Sequence, residues 1–186
     1  MSHRSSISPE ISVVVAVRND EEMVGHHLKA IASHLRALGR TFEIVAVNDD
    51  SRDNSLSIAN LLVPQMAELR VLRANVAGRA FLRGAAEARG SVLILVEASK
   101  AASLAPLGWA LSRLEAGREA VILRGRYIVA RRLMALPIIV RASGPGLLFE
   151  HVFERRAQDL GIDVVGTRAK SRPPLFLRPV LRFLST

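Results

Sequence analysis

The run Ile11-Ser12-Val13-Val14-Val15-Ala16-Val17 constrains this chain more than any other segment. It is mostly β-branched and almost continuously apolar, so water is expected on neither face of the strand it forms. Such a strand belongs inside a parallel sheet that helices cover on both sides.

The residues that follow supply those helices. Val24, Leu28, Ile31, Leu35 and Leu38 keep helical spacing until Gly39, and Asp20 stands where it can cap the helix. Glu43–Val47 reads as a second strand, and a helix from about Asn54 runs to Pro64. Arg70–Arg73 is a short strand, and Gly78–Arg89 is a small-residue helix ended by Gly90. Ser91–Val96 is another apolar strand, Pro106–Glu115 a helix with proline at its start, and Ala120–Leu123 a further strand. This alternation predicts an α/β fold with a mostly parallel central sheet and right-handed crossovers.

The pattern is less regular beyond. Residues 126–146 hold Pro137 and Gly144-Pro145-Gly146 and give no assignment. Leu147–Leu160 is an amphipathic helix with Phe149, Val152, Phe153 and Leu160 near one face, and Ile162–Val165 is a last strand. The organisation expected is a polar N-terminal tail at 1–10, one α/β domain at 11–168 and a basic amphipathic tail at 169–186.

Charge narrows the partners. Residues 124–186 hold 12 Lys+Arg against 4 acids, whereas the rest holds 14 against 13. Lysine occurs only at Lys29, Lys100 and Lys170, so the basicity is nearly all guanidinium, which suits bidentate contact with phosphate. The absence of cysteine excludes a disulfide framework and thiolate metal sites. His26 and His27 are neighbours, which on a helix do not converge on one metal. The first ten residues carry no signal-peptide core, and no apolar run approaches the roughly 18 residues that span a bilayer. The expected location is therefore cytoplasmic, peripheral on the inner face of the membrane.

The tail suggests why. Leu177, Val180, Leu181 and Leu184 share one helical face, with Arg178 and Arg182 on its flank and Pro179 in the first turn. A segment this short is not helical alone in water, where about 12–15 residues are needed. It docks on its own domain, on a protein partner, or, through residues 172–186, on an anionic membrane surface or lipid-linked acceptor. Nucleic acid is not expected, because Trp109 and Tyr127 are lone aromatics with no stacking platform.

In sheets of this kind ligands gather at the carboxyl ends of the strands. Those ends are Arg18-Asn19-Asp20, Asn48-Asp49-Asp50 and Glu97-Ala98-Ser99. Carboxylates there suit a ribose or base edge, while Arg18 and the helix start at Gly78-Arg79 suit phosphates. The plainer reading makes Asp49, Asp50 and Asp53 turn formers and helix caps.

The segments ISVVVAVRNDEE, EIVAVNDDSRDNS, RVLRANVAGRAFLRGAAEARGSVLILVEAS and LEAGREAVILRGRY resemble, in order and spacing, successive blocks of family 2 glycosyltransferases, nearest to the polyprenyl-phosphate sugar transferases. The likeness covers residues 11–126 well and 147–168 more weakly. It implies a Rossmann-like GT-A fold that holds a nucleotide-diphosphate sugar. The family's nucleotide-contacting residues near the first strand's end fall on Ala16, Arg18 and Asp20, of which only the acid is kept, shortened. The aspartate pair after the second strand falls on Asn48 and Asp49, and Asp50 replaces the following glycine. Gly78 and Arg79 match a glycine-plus-basic step, and Arg126 matches an arginine that faces the diphosphate.

Two departures bear on activity. The family's metal-binding Asp-x-Asp is here Glu97-Ala98-Ser99. Magnesium or manganese on a diphosphate usually takes one or two protein carboxylates, and Glu97 with the neutral Ser99 promises low affinity for Mg2+ or Mn2+. The base that takes the acceptor proton is expected after the fifth strand, yet residues 120–149 contain no Asp, Glu or His. Glu150 and His151 are the nearest candidates, and their plainer reading is a solvated helix face. The expected function is nucleotide-diphosphate sugar binding with weak or lost transfer. One alternative is an active transferase whose Arg18, Arg79 and Arg126 replace metal charge on a lipid-linked or glycan acceptor. The other is a non-catalytic scaffold at the membrane surface or for a protein partner.

Overall fold

The structure is a computed structural model in which residues 8–101, 104, 106–143, 149–160, 162 and 164–167 are described, the last four by backbone alone. The tail expected at 169–186 lies outside the described residues. Strand β1 (Ile11–Val17) leads through helix α1 (Val24–Ala37) to β2 (Phe42–Asn48), and α2 (Ser55–Leu62) leads to β3 (Leu69–Arg73). Helix α3 (Ala80–Glu87) precedes β4 (Val92–Glu97), and α4 (Leu107–Glu115) precedes β5 (Ala120–Leu123). Then come β6 (Tyr127–Arg131), α5 (Arg132–Ala142), α6 (Phe149–Asp159) and β7 (Val164–Thr167).

The strands form one sheet in the order β3-β2-β1-β4-β6-β5-β7. All of the pairings are parallel except those of β6, which runs antiparallel to β4 and β5. Strand β1 lies between β2 and β4, which explains its composition: Val13, Val15 and Val17 enter one core, Val14 the other. Helices α1, α2 and α4 cover the first face, and α3, α5 and α6 cover the second. The α/β fold with a mostly parallel sheet and helices on both faces is thus present.

Several local expectations are corrected. Met23 occupies the N-cap position of α1 without a side-chain capping bond, and it is the Asp20 carbonyl, not its carboxylate, that accepts the N–H groups of Met23 and Val24 at 3.1 and 2.7 Å. Helix α3 stops at Glu87, where Ala88 turns extended. Gly90 is instead needed for close approach, since a Cβ there would lie 2.7 Å from the backbone nitrogen of Ser12. On α6, Phe153 and Ala157 are buried while Leu160 is exposed. The unassigned stretch holds β6 and α5, with Pro137 inside α5. The carbonyl that Pro137 leaves without a helical donor belongs to Leu133, whose side chain is 82% exposed, on the solvent side of the helix.

Two contacts hold the helical layer on the sheet. Gly84 lets α3 lie against β1 and β2: a Cβ there would fall 2.2 Å from Val14 Cγ1 and 3.0 Å from Val47 Cγ2. At the opposite edge from the polar strand ends, Glu43 is buried in a polar knot. Its carboxylate accepts Ser12 Oγ at 2.7 Å, the Arg89 N–H at 2.6 Å and Arg70 Nη2 at 2.9 Å. Burial alone would push the Glu43 carboxyl up, but these bonds and the Arg70 charge together hold it below the usual range.

Gly84→Ala should therefore lower unfolding free energy in urea by about 1–3 kcal/mol through overpacking, although alanine is the better helix former by roughly 1 kcal/mol. A stabilised variant would mean that α3 does not sit this close. For Glu43 the depressed pKa gives stability that is present above the ordinary carboxylate range near pH 4–5 and lost as pH falls through the folded value. Glu43→Gln should be less stable at neutral pH and show a flatter decline on acidification, followed by melting from pH 7 to 3.

Candidate functional site

Strand register brings the polar ends together. Val17 pairs with Asn48, Ala16 with Glu97, and Asn48 with Arg73. Val96 pairs with Tyr127, so the turn Arg124-Gly125-Arg126 between β5 and β6 stands beside the end of β4. Ala16, Arg18, Asp49, Glu97 and Arg126 thus meet on one rim.

Arg79 joins them through its neighbour. The Asp49 carboxylate accepts the Gly78 N–H at 2.8 Å on Oδ1, which ties the loop before α3 to the end of β2. Asp49 Oδ2 has no hydrogen-bond partner among the described residues. Arg79 and Arg83, with Asn75 and Leu82, line an open cleft of about 200 Å³ along α3. Asn48 is buried at the strand end, and its Oδ1 has no donor among the described residues.

The first two loops fasten each other. Ser51 Oγ accepts the Asn19 N–H, and Asn19 Oδ1 accepts the Arg52 N–H. Asp53 accepts the N–H groups of Glu21 and Ser55 at 3.0 and 3.1 Å, while Glu21 accepts that of Asn54 at 2.8 Å. The Ser55 hydroxyl, more than any other group, pulls the Asp53 pKa down. Asp20 places Oδ2 on His27 Nδ1 at 3.1 Å and donates its own N–H to Ser55. The turn-forming role suits Asp53 and Asp50. Asp50 adopts φ +60°, a left-handed conformation in which aspartate is tolerated, at the position where the resemblance puts glycine.

The guanidinium groups of Arg18, Arg79 and Arg126 make no hydrogen bond or ion pair among the described residues. Glu97 is exposed, and Lys100 Nζ sits 2.8 Å from its Oε1. Ser99 is exposed in the short 3-10 turn Ala98–Lys100. Among the described residues no three His, Asp or Glu side chains cluster to hold a metal. One carboxylate already paired with an ammonium, beside a neutral hydroxyl, is a poor fit to a divalent ion.

Glu150 has a task that the sequence did not reveal. Both of its oxygens accept the Gly125 N–H at 3.0 Å, and Glu154 pairs with Arg124. That ion pair raises the Arg124 pKa. Helix α6 thereby clamps the turn that carries Arg126. His151 is exposed beside Glu150. Tyr127 is buried, which pushes its hydroxyl pKa up, and the hydroxyl donates to the Leu104 carbonyl at 3.4 Å.

Comparison with known proteins bears on the family and the fold. Residues 12–129 match the sequence profile described as Glycosyl transferase family 2. The chain is 34% identical over 92 residues to the undecaprenyl-phosphate 4-deoxy-4-formamido-L-arabinose transferase of Pseudomonas paraeruginosa, a match covering 47% of this chain and 27% of the relative. The fold is similar to mannosyltransferase PcManGT from Pyrobaculum calidifontis, solved with GDP-Man and Mn2+, at a TM-score of 0.66 and 16% identity over 87% of this chain and 55% of that one. It also resembles glucosyl-3-phosphoglycerate synthase from Mycobacterium tuberculosis, solved with Mn2+, UDP and phosphoglyceric acid, at a TM-score of 0.63 and 18% identity over 92% of this chain and 74% of the other. The chain therefore spans about a quarter of the curated relative and roughly half to three quarters of these solved structures.

The left-handed turn makes a simple check of the rim's geometry. Asp50→Gly should stay within about 0.5 kcal/mol of the parent in urea unfolding, whereas Asp50→Val should lose about 1–2 kcal/mol. Equal stability of the two variants would place Asp50 elsewhere in backbone space.

Proposed function

This chain belongs to glycosyl transferase family 2, and from that premise we propose that its sheet rim binds a nucleotide-diphosphate sugar while transfer itself is weak or lost. The observation that supports the reading is a rim where, among the described residues, one Asp49 oxygen and the guanidinium groups of Arg18, Arg79 and Arg126 have no partner. Asp49 Oδ2 accepts a hydrogen bond from a ribose hydroxyl or base N–H, and Arg18, Arg79 and Arg126 face the diphosphate. Ala16 presents a small side chain beside Glu97 and leaves room for the ligand. Asp20 contributes by stiffening the loop, since one of its oxygens is taken by His27. A divalent ion at Glu97 and Ser99 adds little, because a single paired carboxylate holds it weakly.

Weak transfer follows from the missing base. Residues 120–149 hold no titratable acid or histidine, and Glu150 is engaged with Gly125. His151 is the remaining candidate. A second reading, active transfer, is favoured by the 34% identity to an undecaprenyl-phosphate transferase. A phosphate acceptor is already ionised and needs little base, and arginines stabilise a departing diphosphate as a metal does. In either reading the basic segment 172–186 brings the domain to an anionic, lipid-bearing surface on the inner face of the membrane. No helix among the described residues is long and apolar enough to cross one.

Thermal shift with UDP, GDP, CDP and dTDP tests the central reading. At about 100 times Kd the matching diphosphate should stabilise by ~2.7 kcal/mol and raise Tm by roughly 5–10 °C, with a much smaller rise for the monophosphate. Asp49→Ala should remove most of the rise. No shift with any diphosphate would end the proposal. Turnover of the matching sugar donor onto polyprenyl phosphate would replace the main reading with the second.

A further inference from the structure

We infer that Lys100 is a built-in counter-ion: its ammonium, held at the end of β4 by Glu97, meets the charge of a bound diphosphate, which therefore binds without metal. This deepens the proposed function and rests on the rim being a diphosphate site.

The turn after β4 fixes the lysine. Ala98 and Ala101 are each only 2% exposed, and the Ala101 N–H donates to the Ala98 carbonyl at 2.9 Å. With these two alanines packed inward, Ser99 and Lys100 are left on the outside of the turn. The turn itself packs against β1 and α1. Lys100 Nζ then reaches Glu97 Oε1 at 2.8 Å, at a strand end that pairs with Ala16 on one side and approaches Arg126 on the other.

Charge decides which cation this site accepts. The PcManGT structure was solved with GDP-Man and Mn2+, and the Mycobacterium tuberculosis synthase with UDP and Mn2+. Here Glu97 is paired with the Lys100 ammonium. A divalent ion on Glu97 would have to displace the ammonium and lie beside Arg126, where among the described residues no three His, Asp or Glu side chains cluster to hold it. A lysine ammonium has three donors on a compact charge. One stays on Glu97 while the others reach phosphate oxygens. Glu97 thereby changes from a metal ligand to a positioning residue that holds the ammonium on the rim.

The test compares binding of UDP and GDP by calorimetry in EDTA and in manganese. The unmodified protein should bind the preferred diphosphate with a Kd that changes by less than about twofold between the two buffers. Lys100→Met should weaken binding in EDTA about tenfold, or ~1.4 kcal/mol, while Lys100→Arg should retain most of it. Both side chains of the pair are partly exposed, so the unliganded Tm should stay in place, as Lys100→Gln would confirm. The triple variant Glu97→Asp, Ser99→Asp, Lys100→Met restores a carboxylate pair and should bind only with manganese. Binding by the unmodified protein that disappears in EDTA overturns this inference alone, as does a Lys100→Met variant that binds undiminished. Absence of diphosphate binding in every buffer overturns the diphosphate site itself.

Discussion

Contact between α3 and the central strands governs the rest of the molecule. Position 84 has no side chain, so the helix descends onto Val14 and Val47. That depth sets the height of the loop ahead of the helix, and the Gly78 N–H meets the Asp49 carboxylate only at that height. The same seating offers Phe81 to Phe149 at a ring separation of 4.5 Å, which ties α3 to α6. Helix α6 in turn holds the turn bearing Arg126 through Glu150 and Glu154. One missing side chain thus underlies the placement of cationic groups on two sides of the rim.

The rim's charge follows from how its acids are used. Asp20 is engaged by His27, Asp53 and Glu21 by backbone N–H groups, Glu150 by Gly125 and Glu97 by Lys100. Among the described residues Arg18, Arg79 and Arg126 are not similarly engaged. Carboxylates that accept internal hydrogen bonds are spent on holding the loops in place.

Some of this was legible beforehand. The apolar run at 11–17, the helical spacing up to Gly39 and the polar residues at three strand ends led to the sheet, its helical layers and the edge where polar residues gather. The mixed part of the sheet was hidden, because Tyr127–Arg131 is as apolar as a parallel strand and only a three-residue turn reverses it. Pro137 concealed α5, a helix that tolerates it on the solvent side. Nothing in the sequence marked Glu43 as buried, since its partners Ser12, Arg70 and Arg89 lie far from it along the chain.

By itself the sequence determined the fold class, the direction of most strands and the kinds of residue available at the strand ends, because periodicity and local turn chemistry are properties of neighbouring residues. Tertiary structure alone decided which charges remain free. Whether Asp49 keeps an oxygen for a ligand, whether Glu150 is a base or a clamp, and whether Glu97 faces a metal or Lys100 depends on hydrogen-bond partners brought together by strand register and helix seating. Such pairings are set by distances of a few ångströms in space, which no spacing along the chain encodes.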